Sequence, residues 1–474
     1  MNKGSGKRIS KGTILGYGVS GVGNTIGGDL FYTWFLFFLT SVAGIPPAAA
    51  GTVSLVAVLW DAINDPMIGS WCDNNRSKGG RRRFFMITGA LPVSVILVLL
   101  FTNVSLSGGM KVAYFMLMNV LFWFAFTWTD VPTLALVDNL DGSYDEKTKA
   151  KTAWTFFLKV GSIFTVSVPP LIIAAFEAKG YDTDKAWTMM AIIMGVAMFC
   201  SYFITWLSTR GKEVLPTRTE KVKHNFLKQY VFAFRNKAMR NSMFGVLFLY
   251  LGFNGVAIPT MAYILNYNLG LSEGMVSTFM MCYTVAGIIG SLVLGVISSK
   301  FGKRIGSKAK QLAIPSVVYG AIAVVCMLFG ANAAIVLLVM ILLGFAASAF
   351  HLHGWNLGLD AAKIDEYKTG EDRGGSYVAL IGFAFKIGGA IGMWLLGIIL
   401  QGFEFNADLA VQSAKAMFGI QICFYVIAGI FMIIGALILF RNPLTREKLD
   451  ALMDGIKKKE QGEPVDEASF ENLL

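Results

Sequence analysis

Charge is scarce in this chain: Asp, Glu, Lys and Arg make up only 15% of its 474 residues, against 55% hydrophobic residues. So little charge cannot coat a soluble surface, which excludes an ordinary soluble globular domain of this length. The 41 Lys and Arg still outnumber the 30 Asp and Glu, for a formal charge of +11. Those basic residues lie in connections between apolar runs, a pattern that reflects anionic headgroups and topology and not nucleic acid. Cysteine is sparse too. Cys72, Cys200, Cys282, Cys326 and Cys423 are scattered in or beside apolar segments without ligand-like spacing, so neither a disulfide framework nor a cysteine metal centre is expected. No catalytic triad, metal cluster, cofactor motif or sizeable soluble domain speaks for an enzyme. The numerous glycines have no strand or P-loop lysine beside them, so they read as helix-packing residues. The basic opening from Met1 to Lys11 leads into a stretch too long and glycine-rich for a cleaved signal peptide, and no removal is expected.

What the chain has is long apolar runs. A helix crossing hydrocarbon needs roughly 20 predominantly apolar residues. Runs of that length fall at about 13–42, 48–72, 84–106, 111–140, 153–177, 187–208, 241–269, 273–299, 311–331, 333–360, 376–402 and 414–440. The expected fold class is an all-α polytopic membrane protein with about twelve transmembrane helices. Basic residues collect at Lys3, Lys7, Arg8 and Lys11, at Arg76, Lys78, Arg81, Arg82 and Arg83, from Arg210 to Arg240, at Lys300, Lys303, Arg304, Lys308 and Lys310, and after Arg441. The opposite connections carry almost none, so the positive-inside rule places both termini in the cytoplasm. The longest polar connection splits the spans six and six. The expected organisation is a bundle at 1–209, a cytoplasmic linker at 210–240, a second bundle at 241–441 and a tail at 442–474. A weak repeat supports the halves, since Gly69-Ser70-Trp71-Cys72-Asp73 before Arg81 is echoed by Gly295-Val296-Ile297-Ser298-Ser299 before Lys303 and Arg304. The tail beyond Lys459 is acidic and polar and reads as disordered.

The most informative stretch is Trp60-Asp61-Ala62-Ile63-Asn64-Asp65-Pro66, inside the second span. A carboxylate near the centre of a spanning helix costs at least about 2.5–3.5 kcal/mol, and this one carries two. The i, i+4 spacing puts them on one face, roughly 5–6 Å apart at Cβ. Two carboxylates so close repel when both are ionised, so a bound cation, a shared proton or a basic side chain must lie between them. Pro66 cannot donate to the Ala62 carbonyl, which leaves a further oxygen available. The alternative is a pair neutralised by Lys386 or Lys159 that merely holds helices together.

Tyr17-Gly18-Val19-Ser20-Gly21-Val22-Gly23, then Tyr32, Thr40 and Gly44, then Trp60 to Gly69, form a series that continues with Asp130-Val131-Pro132 in the fourth span. Glu366-Tyr367-Lys368-Thr369-Gly370 with Arg373 follow the tenth span, and Lys386 lies in the eleventh. In this order the series resembles the glycoside-pentoside-hexuronide:cation symporter family, of the melibiose-permease type, in the major facilitator superfamily. The resemblance implies the major facilitator fold with two six-helix bundles. It implies a Na⁺, Li⁺ or H⁺ site at Asp61, Asp65, Asn64 and Thr127, a sugar-binding carboxylate at Asp130 and a coupling lysine at Lys386. Arg373 falls in the matched cytoplasmic loop and joins Lys386 in the coupling and gating set; Arg81 and Arg82 can hold the halves together on the cytoplasmic side by pairing with helix C-termini and acidic residues, the alternative being a topology signal alone. The chain also departs from the family pattern. Asn24 and Thr25 stand where the melibiose type has a Lys-Asp pair, Thr155 near its fifth-span arginine, Leu134 in place of a sugar-stacking tryptophan, and Lys363 where an acid is usual.

Other polar residues complete the candidate set. Asp29, one turn beyond Thr25, and Lys159, one turn beyond Thr155, are charges in apolar spans, and the acid that Lys159 pairs with is left open among Asp29, Asp61 and Asp130. His351 and His353 can exchange hydrogen bonds with sugar hydroxyls, and Trp355, near Asn356, can stack on a sugar face. Trp123, Trp128 and Trp154 read as packing or interface residues. The expected function is secondary active symport of a sugar or glycoside with Na⁺ or H⁺ by alternating access, in the plasma (inner) membrane, as a monomer and without a resident cofactor. The alternative is an uncoupled or proton-linked carrier of an anionic sugar such as a hexuronide. A membrane enzyme or a non-transporting sensor is the least favoured reading.

Overall fold

Backbone amides in hydrocarbon must find partners within their own segment, so apolar runs of this length fold as helices. The structure, a computed structural model, describes residues 9–474 apart from Arg76, Lys78, Gly79, 215–232, Asp408, Ala410, Asp466 and Leu474. The basic residues Lys3, Lys7, Arg8, Arg76 and Lys78 and the middle of the expected linker therefore lie outside the described residues, as does the side chain of Lys303. Among the described residues the structure is helical, with a single isolated bridge pairing Leu140 and Glu213 in place of any sheet. Among the described residues eleven helices are long and apolar enough to cross a membrane. The run expected as the first span is helical as well, but its winding changes along the way, through Lys11–Gly18, Ser20–Leu30, Phe31–Phe35 and Phe38–Val42, with right-handed helical backbone at the junctions Val19 and Phe37.

The glycines of this run serve packing. Glycine has low helix propensity, and this segment spends it on close approach: a Cβ at Gly21 would stand 2.5 Å from the Trp154 carbonyl oxygen, and one at Gly27 would stand 2.0 Å from the Phe126 ring. The last two pieces are π-helical turns. The same widening recurs in the seventh apolar run, at Leu251–Ala257 and Ile264–Asn268, and once more at Ile422–Ile427.

Two compact units make up the chain. The first comprises Met1–Lys223 with Leu265–Met281 and Leu400–Ser413; the second comprises His224–Ile264, Cys282–Ile399 and Ala414–Leu474. In the first, the Gly108–Leu136 helix packs on both Pro47–Asn74 and Arg83–Leu100, while Ser20–Leu30 packs on Tyr144–Ser167 and Thr183–Ser208. In the second, Lys308–Cys326 packs on Ala428–Phe440 and on Ala333–Thr369.

The tail beyond Lys459 corrects the sequence reading, since it is docked on the second unit. The Arg446–Gln461 helix is capped by Thr445 at its start and by left-handed Gly462 at its end. The chain then folds back so that Phe470 is 1% exposed, edge-on to Tyr367 at 5.1 Å. Tyr367 donates to Glu467 Oε1 at 2.6 Å, and Lys459 Nζ donates to the Tyr367 carbonyl at 2.9 Å. Gly455 leaves the space that Phe470, Tyr367 and Val465 fill. Average polarity hides these few apolar anchors. Truncating a buried Phe to Ala typically costs about 3–5 kcal/mol, so Phe470→Ala should release the tail. Trypsin should then cut at Lys457, Lys458 and Lys459 faster than in the wild type while the spans stay protected, as limited proteolysis with mass readout would show.

Candidate functional site

The helix Pro47–Asn74 starts on Pro47, where the missing amide hydrogen is harmless, and carries Pro66 in its interior. The second proline leaves the Ala62 carbonyl without its helical donor beside the two carboxylates. Asp61 is 1% exposed and Asp65 half-buried. Facing them from Gly108–Leu136, the Thr127 hydroxyl donates to Asp61 Oδ1 at 2.6 Å and reaches Asp65 Oδ1 at 3.2 Å. A hydroxyl has one hydrogen to give, so Thr127 serves one of the two oxygens at a time and ties both carboxylates to the facing helix. Asn64 is buried between the acids; its amide nitrogen donates to the Trp123 carbonyl at 3.5 Å. Among the described residues its Oδ1 has no hydrogen-bond partner. Two carboxylates, a hydroxyl, an amide oxygen and a freed carbonyl make a set of hard oxygen donors. Among the described residues no group of three or more His, Cys, Asp or Glu could hold a metal ion.

One turn past Thr127, Asp130 joins three helices. Its Oδ2 accepts from Asn24 Nδ2 at 2.8 Å and its Oδ1 from the Tyr202 hydroxyl at 3.0 Å. Gly23 makes room for this, because a Cβ there would lie 2.8 Å from the Tyr202 ring. A carboxylate offers about four lone-pair sites, so two donors do not exhaust it. Tyr202 is absent from the sequence-derived set. Its only sequence signal is that a phenol inside a span needs a partner.

Asn24 and Asp130 are thus brought together, whereas Thr25 turns away: its hydroxyl donates to the Val22 carbonyl at 2.9 Å and packs where Gly161 lacks a side chain. Asp29 forms a separate group. Its Oδ2 accepts from the Ser162 hydroxyl, and it interacts electrostatically with Lys159. Of the acids left open for Lys159, Asp29 is the one whose charge acts on it; Ser162 is a further residue missed in the sequence, since a lone serine carries no pattern.

The remaining candidates belong to the second unit. Trp355 is 45% exposed and stands edge-on to Phe385 at 4.5 Å. Phe385 in turn stacks with Tyr250 at 4.7 Å and meets Phe350 at 4.5 Å. Lys386 follows Phe385 and is half-buried. His351 Nδ1 lies 2.8 Å from its own helix's Ala347 carbonyl, while His353 is buried. Arg373 pairs with Asp365 at 3.2 Å and Glu371 at 2.7 Å, and the hydrogen bond to Glu371 is the first cause of its raised pKa. Lys363 pairs with Glu366 at 2.5 Å. In the first unit, Arg81 and Arg82 each lie 3.6 Å from Asp73, and burial lowers the Arg82 pKa. Glu213 accepts from the backbone amides of Arg82 at 2.8 Å and Arg83 at 3.4 Å, which caps the third apolar helix with a carboxylate.

The signature of the MFS/sugar transport protein family matches residues 16–446. The chain is 28% identical over 408 residues to an uncharacterized symporter, YnaJ, of Bacillus subtilis, covering 86% of each. It is 24% identical to the isoprimeverose transporter of Lactiplantibacillus pentosus, over 85% of this chain and 83% of that one. It is 25% identical to a glucuronide carrier protein homolog of Escherichia coli, over 96% and 98%. Among solved structures, a bacterial homolog of the human lysosomal transporter Spinster superposes with a TM-score of 0.66 at 15% identity, over 92% of this chain and 98% of that one. A D-xylose-proton symporter gives 0.59 at 13%, over 91% and 95%; at these identities the likeness is one of fold. With the helical architecture and the ordered motifs, the match across nearly the whole chain places this protein in the MFS/sugar transport family, among the glycoside-pentoside-hexuronide:cation symporters of the major facilitator superfamily, as a secondary transporter.

Proposed function

We propose that this transporter couples movement of a sugar or glycoside to Na⁺ or H⁺, with Li⁺ as a further candidate, through the Asp61–Asp65–Thr127 group. The observation that carries the reading is the single Thr127 hydrogen set between two carboxylate oxygens. An ion or proton arriving there offsets the repulsion between the two carboxylates and draws the Pro47–Asn74 and Gly108–Leu136 helices together. Asp130, three residues past Thr127, is the sugar ligand: a carboxylate accepts strong charge-assisted hydrogen bonds from hydroxyls, and Asn24 and Tyr202 set its two oxygens. The short path between the groups accounts for coupling, because whatever the ion adds to sugar affinity the sugar adds to ion affinity. Trp355 and His351 supply further contacts, and Lys386 and the Arg81, Arg82 and Arg373 clusters act in coupling and gating.

The bundles at 1–209 and 241–441, joined by 210–240, move against one another to expose the site alternately. The protein works in the plasma membrane as a monomer, with both termini in the cytoplasm, and leaves its substrate chemically unchanged. The rival reading is a carrier of an anionic sugar held by Lys159. The negative charge of Asp29 acting on Lys159 weighs against it, since an anionic sugar there would have to share that lysine with a carboxylate.

The deciding experiment is uptake of labelled glycosides, pentosides and hexuronides into proteoliposomes under separately imposed Na⁺, Li⁺ and H⁺ gradients. Uphill accumulation driven by one cation supports the proposal, and equilibration alone overturns the coupling. Asp65→Asn should abolish cation-driven accumulation while the protein stays folded in the membrane; accumulation that survived would remove the acid pair from the mechanism. Thr127→Val removes a hydrogen bond to a charged group, a loss of about 1.5–3 kcal/mol, so cation affinity should fall by about tenfold or more in a binding titration. Tyr202→Phe should weaken sugar binding by about tenfold while the cation titration stays unchanged, because the phenol touches Asp130 alone of the two groups.

A further inference from the structure

The second unit holds a cavity of about 360 Å³ that the transport site does not use. It lies among three candidate membrane-spanning helices, Glu273–Ile305, Lys308–Cys326 and Ala333–Thr369. Its walls run from Leu294 to Ile305 on the first, from Gln311 to Tyr319 on the second and from Leu342 to His353 on the third. At 1.5 Å per residue the stretches measure roughly 16, 12 and 16 Å. The space is therefore long and follows the helix axes.

Its chemistry excludes a sugar. Leu294, Ile314, Val318, Leu342 and Phe345 line most of it, and of its three polar neighbours Gln311 already donates its amide to the Gly306 carbonyl at 3.0 Å. The lips face outward in the apolar zone, with Ile314 42% and Val318 47% exposed. What surrounds such lips in a spanning helix is hydrocarbon. One end of the cavity, between Ile305 and Gln311, opens at the turn Gly306-Ser307, and that turn is basic: Arg304 and Lys310 are exposed on either side of it. Lys308 beside them is held by Asp360 at 2.7 Å, which fixes the turn without cancelling its flanking charges.

We infer that this cavity is a binding site for an anionic phospholipid, one acyl chain lying along the three helices and its phosphate headgroup held at the turn by Arg304 and Lys310. A long apolar slot with cationic residues at one mouth matches that molecule in both shape and charge. The assignment is independent of the coupling mechanism.

The test uses the full-length protein in bilayers containing phosphatidylglycerol with a photoactivatable group on its acyl chain, and the labelled peptides are mapped by mass spectrometry. Label should concentrate on 294–305, 314–319 and 342–353. Val318→Trp fills the slot and should cut that label about tenfold; Leu342→Trp, from another wall, does the same by an independent substitution. The double variant Arg304→Gln, Lys310→Gln should lose labelling by the phosphatidylglycerol probe and keep labelling by a phosphatidylcholine probe of the same chain. Label spread evenly over the apolar faces and unchanged by both tryptophans would mean annular lipid only and would overturn the site. Competition by millimolar inorganic phosphate would equally overturn it, by showing that the turn binds a free anion without the chain.

Discussion

Two carboxylates share one hydroxyl between two apolar helices, and the repulsion between like charges so close is the constraint on which the first unit's polar core turns. Thr127 is close enough to Asp61 and Asp65 to bond either one. The low polarity that makes ionised acids expensive there also makes any neutralising charge bind strongly, since the same carboxylates would be screened in water. A ligand that relieves such repulsion in one conformation more than in another shifts the population between them by that difference in affinity.

The surrounding polar residues are handled differently. Asp130 is held by Asn24 and Tyr202, and Asp29 by Ser162 with Lys159 nearby, so these acids have partners within the unit. Each such set ties different helices together, and each depends on a neighbouring glycine or small residue to admit the partner. Gly23 admits Tyr202, and Gly161 admits Thr25. The glycine content noted from composition thus serves the polar network as well as apolar packing: backbones must come close before short side chains can meet.

How far the sequence revealed this depended on whether a residue stands out locally. Asp61, Asp65 and Pro66 do, because charge and proline are conspicuous in an apolar run, and the helices follow from run length alone. The partnership of Asn24 with Asp130 was suggested only in that both fell in the candidate set. Tyr202 and Ser162 were not legible, since a phenol or a serine in a span carries no period, and what selects it is the helix opposite. The docked tail escaped for a related reason: Phe470, Val465 and Gly455 are too few to alter an acidic average, yet they fit one gap beside Tyr367. The first run, with its changes of winding, shows the limit of counting apolar residues, which measures length and says nothing of how tightly the backbone is wound.

That winding has a consequence of its own. Each π-helical turn, at Phe31–Phe35 and Phe38–Val42 and again at Leu251–Ala257 and Ile264–Asn268, holds an extra residue compared with an ordinary α-turn. One extra residue advances the side-chain direction by about 100°. A single helix interrupted in this way carries two faces out of phase, one before the bulge and one after it. The two helices that open the chain's halves can therefore address different neighbours at their two ends without bending, and moving a bulge by one turn would re-aim the residues it passes while leaving the rest of the helix where it was.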